Sequence, residues 1–259
     1  MLEITPVNAF EDNYIWMLGK PGTRDFVAVD PGDEAPVLAW LAQRDARLSA
    51  ILITHHHYDH VGGLPELTAA FPGISVYGPA RNDIRGVTRT VKEGDLLSPP
   101  GLDTEFRVLE VPGHTAGHIA YYGDGALFCG DTLFAGGCGR VFDGTFEQLS
   151  ASLLRIAGLP ARTRIYCAHE YTLVNLGFAA WVEPDSDRLK ARTAQEEAKR
   201  VAGEPTLPTL LQTELDTNPF LRTAVPEVRA AAERFAGHAL HSDAEVFTAL
   251  RQWKDREYD

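Results

Sequence analysis

Residues 54–60, with the sequence T-H-H-H-Y-D-H, constrain this chain more than any other segment. They follow the apolar, β-branched run 48–53, which predicts a buried strand. The histidine-rich segment is therefore expected on a loop at the carboxyl end of a strand, where α/β folds place their chemistry. In an extended segment, residues i, i+2 and i+4 point the same way, which predicts that His55, His57 and Asp59 face one pocket.

Imidazole and carboxylate groups at this density are suitable ligands for zinc, iron or manganese. His60 is expected to turn toward a neighbouring point, because Gly62 and Gly63 allow a tight bend after it. The alternative is a solvated histidine-rich loop that binds metal only adventitiously. His56 and His118 are expected to pack or hydrogen-bond behind the ligands.

Single histidines or aspartates also follow three later apolar runs, at His114, Asp131 and His169. If those runs are neighbouring strands, the three side chains converge on the first cluster. Seven ligands are more than one zinc ion needs, and they fit two metals about 3.5–4 Å apart. The full predicted set is His55, His57, Asp59, His60, His114, Asp131 and His169.

Strand and helix patterns alternate over the first two-thirds of the chain, which predicts an α/β fold. Beyond residue 170 no strand pattern appears, and helices are predicted over 187–202, 226–235 and 244–254. We therefore expect an α/β domain over residues 1–170, which carries all seven candidate ligands, and a helical domain over residues 171–259.

The formal net charge of -12 disfavours general binding to nucleic acid or to anionic membranes. No run is long enough to span a bilayer, and residues 1–4 lack the basic start of a secretory signal. Three cysteines without paired spacing (Cys129, Cys138 and Cys167) fit a reducing compartment and packing roles. We expect a cytoplasmic monomer that binds neither nucleic acid nor membrane.

The ligand series resembles the metallo-β-lactamase superfamily. T-H-x-H-x-D-H is followed by G-H-T at residues 113–115, by Gly130-Asp131 and by a late histidine, His169. The resemblance covers the first two-thirds of the chain. It implies a four-layer αβ/βα sandwich with the metals at one edge of the two sheets.

Further motifs are similar to those of glyoxalase II, the hydroxyacylglutathione hydrolases, and this similarity runs from end to end. They are Asp12-Asn13-Tyr14, C-G-D-T-L-F at 129–134, G-C-G-R at 137–140, H-E-Y-T at 169–172, N-P-F-L-R at 218–222 and R-Q-W-K-D at 251–255. The family resemblance implies hydrolysis of S-(2-hydroxyacyl)glutathione, typically S-D-lactoylglutathione, to glutathione and D-lactate. That reaction is the second step of methylglyoxal detoxification.

The resemblance also implies roles for individual residues. His55, His57 and His114 would hold a first metal, Asp59, His60 and His169 a second, and Asp131 would bridge them. Zinc is the expected metal, with iron or manganese as alternatives, and a bridging hydroxide would attack the thioester. Asp59 and Asp131 would also act in catalysis by offsetting the charge of the two ions. Residues matching Arg140, Tyr171, Arg251 and Lys254 would hold the glutathione moiety.

Two positions depart from some relatives: Arg140 stands where they have Lys, and Phe142 where they have Tyr. Arg140 keeps the charge and adds a fork for carboxylates, whereas Phe142 has no hydroxyl to donate. For Arg251 and Lys254, which are three residues apart on a predicted helix, the alternative to a ligand clamp is an ordinary solvated helix end.

Other activities of the superfamily compete with this interpretation. A nuclease is disfavoured by the charge and a β-lactamase by the missing secretory leader, whereas a lactonase would lack the tail with Arg251 and Lys254. A persulfide dioxygenase with a single iron would leave the second ligand set incomplete. A non-enzymatic metal scaffold would not need the complete set.

Overall fold

The computed structural model describes residues 2–258, which fall into two compact units. The first unit holds the residues up to Glu110 together with Gly117–Gly130. The second holds Val111–Ala116 together with the residues from Asp131 onward. The predicted domain division at residue 170 remains a prediction.

A six-stranded mixed sheet forms most of the first unit. Its strands lie in chain order: β1 (Glu3–Ala9), β2 (Asn13–Gly19), β3 (Asp25–Val29), β4 (Arg47–Leu52), β5 (Ser75–Pro79) and β6 (Arg89–Val91). The first two pairings are antiparallel and the last three are parallel. In the parallel part Val29 lies opposite Leu52, which in turn lies opposite Tyr77, so that these strands end at one edge.

Three helices accompany this sheet: α1 (Glu34–Gln43), α2 (Tyr58–Val61) and α3 (Leu64–Ala70). Helix α1 begins where the Asp33 side chain accepts a hydrogen bond from the Ala35 amide, which satisfies one of the free first-turn donors. It buries Val37 and Leu41 in one apolar cluster with Ile51 and Val76 of the sheet. Burial of these apolar side chains fixes the sheet edge from which the histidine-rich loop leaves.

An antiparallel meander completes the first unit. It consists of β7 (Leu96–Leu97), β8 (Phe106–Glu110), β9 (Ile119–Gly123) and β10 (Ala126–Gly130). The strands β9 and β10 are almost wholly buried.

Helices dominate the second unit. Its strands are a hairpin of β11 (Leu133–Phe134) and β12 (Gly137–Cys138), and the pair β13 (Arg164–Cys167) and β14 (Thr209–Leu210). Its α-helices are α4 (Phe146–Ala157), α5 (Thr172–Val182), α6 (Asp187–Val201), α7 (Leu211–Thr217), α8 (Pro226–Ala236) and α9 (Asp243–Trp253). A 3₁₀ turn covers Pro219–Leu221, and one π-helical turn covers Lys254–Tyr258.

The three predicted helices of the tail lie within one residue of α6, α8 and α9. The expectation of no strand beyond residue 170 was wrong, because β14 pairs with β13 there. Two residues are too short to show an alternating pattern. Within the described residues, 2–258, no helix is both long and apolar enough to cross a membrane.

Candidate metal centre

Four of the predicted ligands lie close together in the first unit. Ligand nitrogens of His55 and His57 lie within 4.8 Å of one another, and so do those of His55 and His60. Asp59 Oδ2 lies 3.4 Å from His60 Nε2. His55 and His60 are fully buried, whereas His57 and Asp59 are partly exposed. A solvated loop is therefore excluded for the two buried imidazoles.

The expected extended course of this segment was wrong beyond His57. Helix α2 begins at Tyr58, so Asp59 and His60 lie in a helical turn rather than in alternation with His57. This helical turn brings the side chains of the neighbouring residues Asp59 and His60 together, whereas in an extended strand they would point to opposite sides.

Asp30 orients two of the histidines from the adjacent strand end. Its carboxylate accepts hydrogen bonds from the Thr54 amide (2.8 Å), from the Thr54 hydroxyl (2.7 Å) and from His60 Nδ1 (3.0 Å). Because the Thr54 hydroxyl proton points to Asp30, its oxygen is left to accept from His55 Nδ1 at 3.1 Å. Both imidazoles are then oriented with Nε2 as the candidate ligand nitrogen, because the hydrogen-bond partner at Nδ1 sets the tautomer and the ring orientation of a histidine.

Asp30 was not among the predicted site residues. Asp30 has a left-handed backbone (φ 52°), an uncommon state for a residue other than glycine. The turn formed by Asp30, Pro31 and Gly32 passes so close to the histidine-rich segment that a Cβ on Gly32 would lie 1.8 Å from the Asp59 carbonyl oxygen. The strained Asp-Pro-Gly turn is the signal that could have identified this position.

Asn13 belongs to the Asp12-Asn13-Tyr14 motif, for which no role was predicted. Its Nδ2 donates to Asp59 Oδ2 at 3.0 Å and so fixes this carboxylate. His118, expected behind the ligands, is buried and stacks on His55 with ring centroids 4.5 Å apart. His56 lies at 3.3 Å from the Asn82 amide nitrogen.

The other three predicted ligands meet in the second unit. Asp131 Oδ2 lies 3.6 Å from His114 Nε2 and 3.4 Å from His169 Nε2, and all three side chains are buried. His114 Nδ1 donates to the Arg140 carbonyl oxygen at 2.8 Å, which leaves Nε2 as the ligand nitrogen. Tyr171 stacks on His169 with the rings nearly parallel, at 6° and 4.7 Å.

These spacings fit a bound ion. Two ligand atoms about 2.0–2.1 Å from one tetrahedral zinc ion lie about 3.4 Å apart. The Asp59–His60 and Asp131–His169 pairs have this separation, and Asp131–His114 is close to it. Buried imidazole and carboxylate groups at this spacing form a donor set for divalent metal ions.

Arg140, Tyr171, Arg251 and Lys254 all lie in the second unit. Arg251 is 1% exposed; it donates to the Cys138 carbonyl oxygen at 3.0 Å and to Asp255 Oδ1 at 2.8 Å. Arg140, which is exposed, places Nε 3.8 Å from the same carboxylate oxygen. Lys254 is buried as well, so a solvated helix end is excluded.

Comparison with known proteins identifies the family. Residues 22–169 match the model of the metallo-beta-lactamase superfamily, and residues 170–257 match that of the hydroxyacylglutathione hydrolase C-terminus. A hydroxyacylglutathione hydrolase from Alkalilimnicola ehrlichii is 56% identical over 256 residues, which is 99% of this chain and 100% of the relative. The chain belongs to the hydroxyacylglutathione hydrolase family. A second member, from Nitrosomonas eutropha, is 49% identical over 98% of this chain and 99% of its own length.

A solved structure confirms the fold that the family implies. The crystal structure of ETHE1 from Myxococcus xanthus superposes with a TM-score of 0.66, covering 100% of this chain and 93% of that one at 22% identity. The predicted α/β metallo-β-lactamase fold with a C-terminal helical domain is therefore correct.

Cys138 lies in the glycine-rich segment between Asp131 and Arg140. Burial raises the pKa of its thiol from 9.0 to about 11, against the opposing effect of Arg251. The thiol is therefore protonated at neutral pH, which fits the predicted packing role rather than a redox role.

The raised pKa of Cys138 makes its contribution to stability dependent on pH. Below pH 9 the thiol is neutral in both states, whereas between pH 9 and 11 the unfolded chain loses its proton first. The free energy of unfolding of wild type relative to Cys138→Ala should fall by about 2 kcal/mol between pH 8 and pH 10.5. Urea unfolding of both proteins measures this difference, and a constant difference would contradict the buried, neutral thiol.

Proposed function

We infer that this chain hydrolyses the thioester of S-(2-hydroxyacyl)glutathione, with S-D-lactoylglutathione as the proposed substrate. The products would be glutathione and a 2-hydroxy acid. The observation that carries the inference is the 56% identity to a hydroxyacylglutathione hydrolase over 99% of this chain, helical tail included.

Two divalent ions are proposed to act in the reaction. His55, His57 and His114 would hold one, Asp59, His60 and His169 the other, and Asp131 would bridge them. The ligand spacings of about 3.4 Å within each unit support this assignment. When bound, such ions would polarise a carbonyl and lower the pKa of a bound water toward neutrality.

Protein side chains set the net charge of the proposed site and the orientation of its histidines. Asp59 and Asp131 would offset part of the charge of two divalent ions and would leave the site net positive, which would favour a carbonyl oxygen that becomes negative. Asp30 and the Arg140 carbonyl hold the histidines in the tautomer that keeps Nε2 unprotonated. A thiolate leaves readily when the C–S bond breaks, so no side chain is needed as a strong acid.

Arg140, Tyr171, Arg251 and Lys254 are proposed to bind the glutathione moiety. The chain carries a net charge of -12, so an anionic tripeptide needs local positive charge. Arg251, Asp255 and Arg140 supply a network in which a carboxylate lies between two guanidinium groups. Arg140, half exposed, is the member of this network that solvent reaches most easily.

Zinc is the proposed metal, with iron and manganese as alternatives that metal analysis of natively purified protein separates. We further propose a cytoplasmic monomer without nucleic-acid or membrane partners, in keeping with the acidic net charge.

Purified protein should hydrolyse S-D-lactoylglutathione, seen as loss of thioester absorbance, and a chelator should abolish the activity. Addition of zinc to the dialysed protein should restore the activity, because the chelator acts by removing the metal and not by damaging the protein. Rapid turnover of a lactone or a persulfide, without turnover of this thioester, would overturn the assignment.

A further inference from the structure

The β11–β12 hairpin, Leu133–Cys138, lies in the chain between a candidate metal ligand, Asp131, and a candidate substrate contact, Arg140. Asp131 lies two residues before the hairpin and Arg140 two residues after it. At the open end of the hairpin, the Gly139 amide donates a hydrogen bond to the Thr132 carbonyl oxygen at 3.3 Å. Any movement of this short hairpin therefore moves a proposed metal ligand and a proposed substrate contact together.

Two cross-strand pairs are too few to hold a hairpin by themselves. Side chains from the helices supply the remaining hydrogen bonds. Asn218 Nδ2 donates to the carbonyl oxygens of Phe134 (3.2 Å) and Gly137 (2.9 Å), and Glu214 Oε2 accepts from the Gly136 amide at 2.8 Å.

The same hairpin meets α5 and α9. Asn175 Nδ2 donates to the Ala135 carbonyl oxygen at 3.1 Å, and Arg251 donates to that of Cys138. A Cβ on Gly137 would lie 2.5 Å from Asn175 Cγ, so only glycine lets the backbone approach this closely. Every backbone carbonyl from residue 134 to 138 except that of Gly136 thus accepts from a buried side chain of a helix or of the turn that follows α7.

Glu214 is itself fully buried and is held in place from the other side. It pairs with Arg192 of α6 and accepts from the Thr209 hydroxyl at 2.8 Å, while Arg192 also donates to Thr217 Oγ1 at 2.6 Å. A buried ion pair is weak evidence for stability, because desolvation offsets much of the attraction. What this pair does supply is a fixed direction for Glu214 Oε2, the oxygen that holds Gly136 and lies 3.1 Å from Asn218 Nδ2.

We propose that Glu214 and Asn218 are positioning residues that hold the Leu133–Cys138 hairpin and thereby set Asp131 and Arg140. The proposal rests on the proposed function only for the roles of those last two residues. It assigns a task to Asn218, the first residue of the N-P-F-L-R motif. It also explains why a charged pair is buried in the helical part of a catalytic chain.

Two variants test the proposal in the full-length, metal-loaded protein. Asn218→Ala removes both bonds to the hairpin carbonyls, and Glu214→Gln keeps the shape of the side chain and one acceptor oxygen. Glu183→Gln is the matched control, because Glu183 forms a comparable pair with Arg222 at 2.8 Å that does not involve the hairpin.

The first measurement is amide hydrogen exchange over residues 132–140. We expect exchange there to become at least tenfold faster in both variants and to stay unchanged in the control. Metal bound per chain and the KM for S-D-lactoylglutathione are the second and third readouts. Loss of an outer-shell partner typically costs about 10–100-fold in metal affinity or activity, and we expect a loss in that range together with a raised KM.

A purely structural role gives a different pattern. If both variants lower the melting temperature as Glu183→Gln does but keep wild-type exchange, metal content and KM, the positioning proposal is wrong. Failure of the proposed function shows separately, as wild-type protein that does not hydrolyse the thioester. In that case exchange and metal content alone decide the proposal.

Discussion

Asp131→Asn should reduce kcat for S-D-lactoylglutathione by more than about 100-fold and lower the bound metal from the proposed two ions per chain to one or fewer. Asp131 lies 3.4–3.6 Å from the Nε2 atoms of His169 and His114, so its carboxylate is central to the second-unit ligands. An amide has nearly the same shape but carries no charge and only one acceptor oxygen. Outer-shell changes already cost about 10–100-fold, and loss of a direct ligand should cost more.

The control for this prediction is Asp216→Asn, the same change at a partly exposed aspartate that pairs with Arg188. It should leave turnover, metal content and thermal stability nearly unchanged, since exposed pairs contribute little. Kinetics, metal analysis and circular dichroism on the three proteins complete the test. Full metal content and turnover within tenfold of wild type in Asp131→Asn would exclude the bridging role.

Residue type and spacing selected the seven candidate ligands, because metal chemistry limits the usable side chains. The local path was harder to predict. The segment from His55 to Asp59 was expected to be extended, yet α2 begins at Tyr58. A four-residue helix shows no periodicity that differs from that of a turn, so pattern arguments cannot detect it.

Some long-range contacts were not predicted. Asp30 reaches Thr54 and His60 because β3 and β4 are parallel neighbours that end at the same edge. Helix α5 went unpredicted because its residues are apolar on most faces, with Leu176 and Phe178 both buried. Such features depend on which elements are neighbours, and a single sequence does not state that.

Burial changes the expectation for the proposed glutathione clamp. The sequence alone suggests that Arg251→Ala and Lys254→Ala each raise the KM more than they lower kcat. Arg251, however, is buried and donates hydrogen bonds to the Asp255 carboxylate and to the Cys138 carbonyl oxygen. Asp255 is 31% exposed, so the pair is only partly buried. Losing hydrogen bonds to a charged group costs about 1.5–3 kcal/mol, so Arg251→Ala should also lower the melting temperature by roughly 3–12 °C.

Arg251→Lys separates the two effects. Lysine keeps the positive charge but cannot donate to Asp255 and Cys138 with one planar fork, so stability should recover only in part. If the charge itself binds the tripeptide, the KM should return toward the wild-type value. Arg188→Ala, which removes an exposed charge, serves as the control and should change neither quantity. An unchanged KM in Arg251→Ala and in Lys254→Ala, measured well below the melting temperature, would restrict both residues to a structural role.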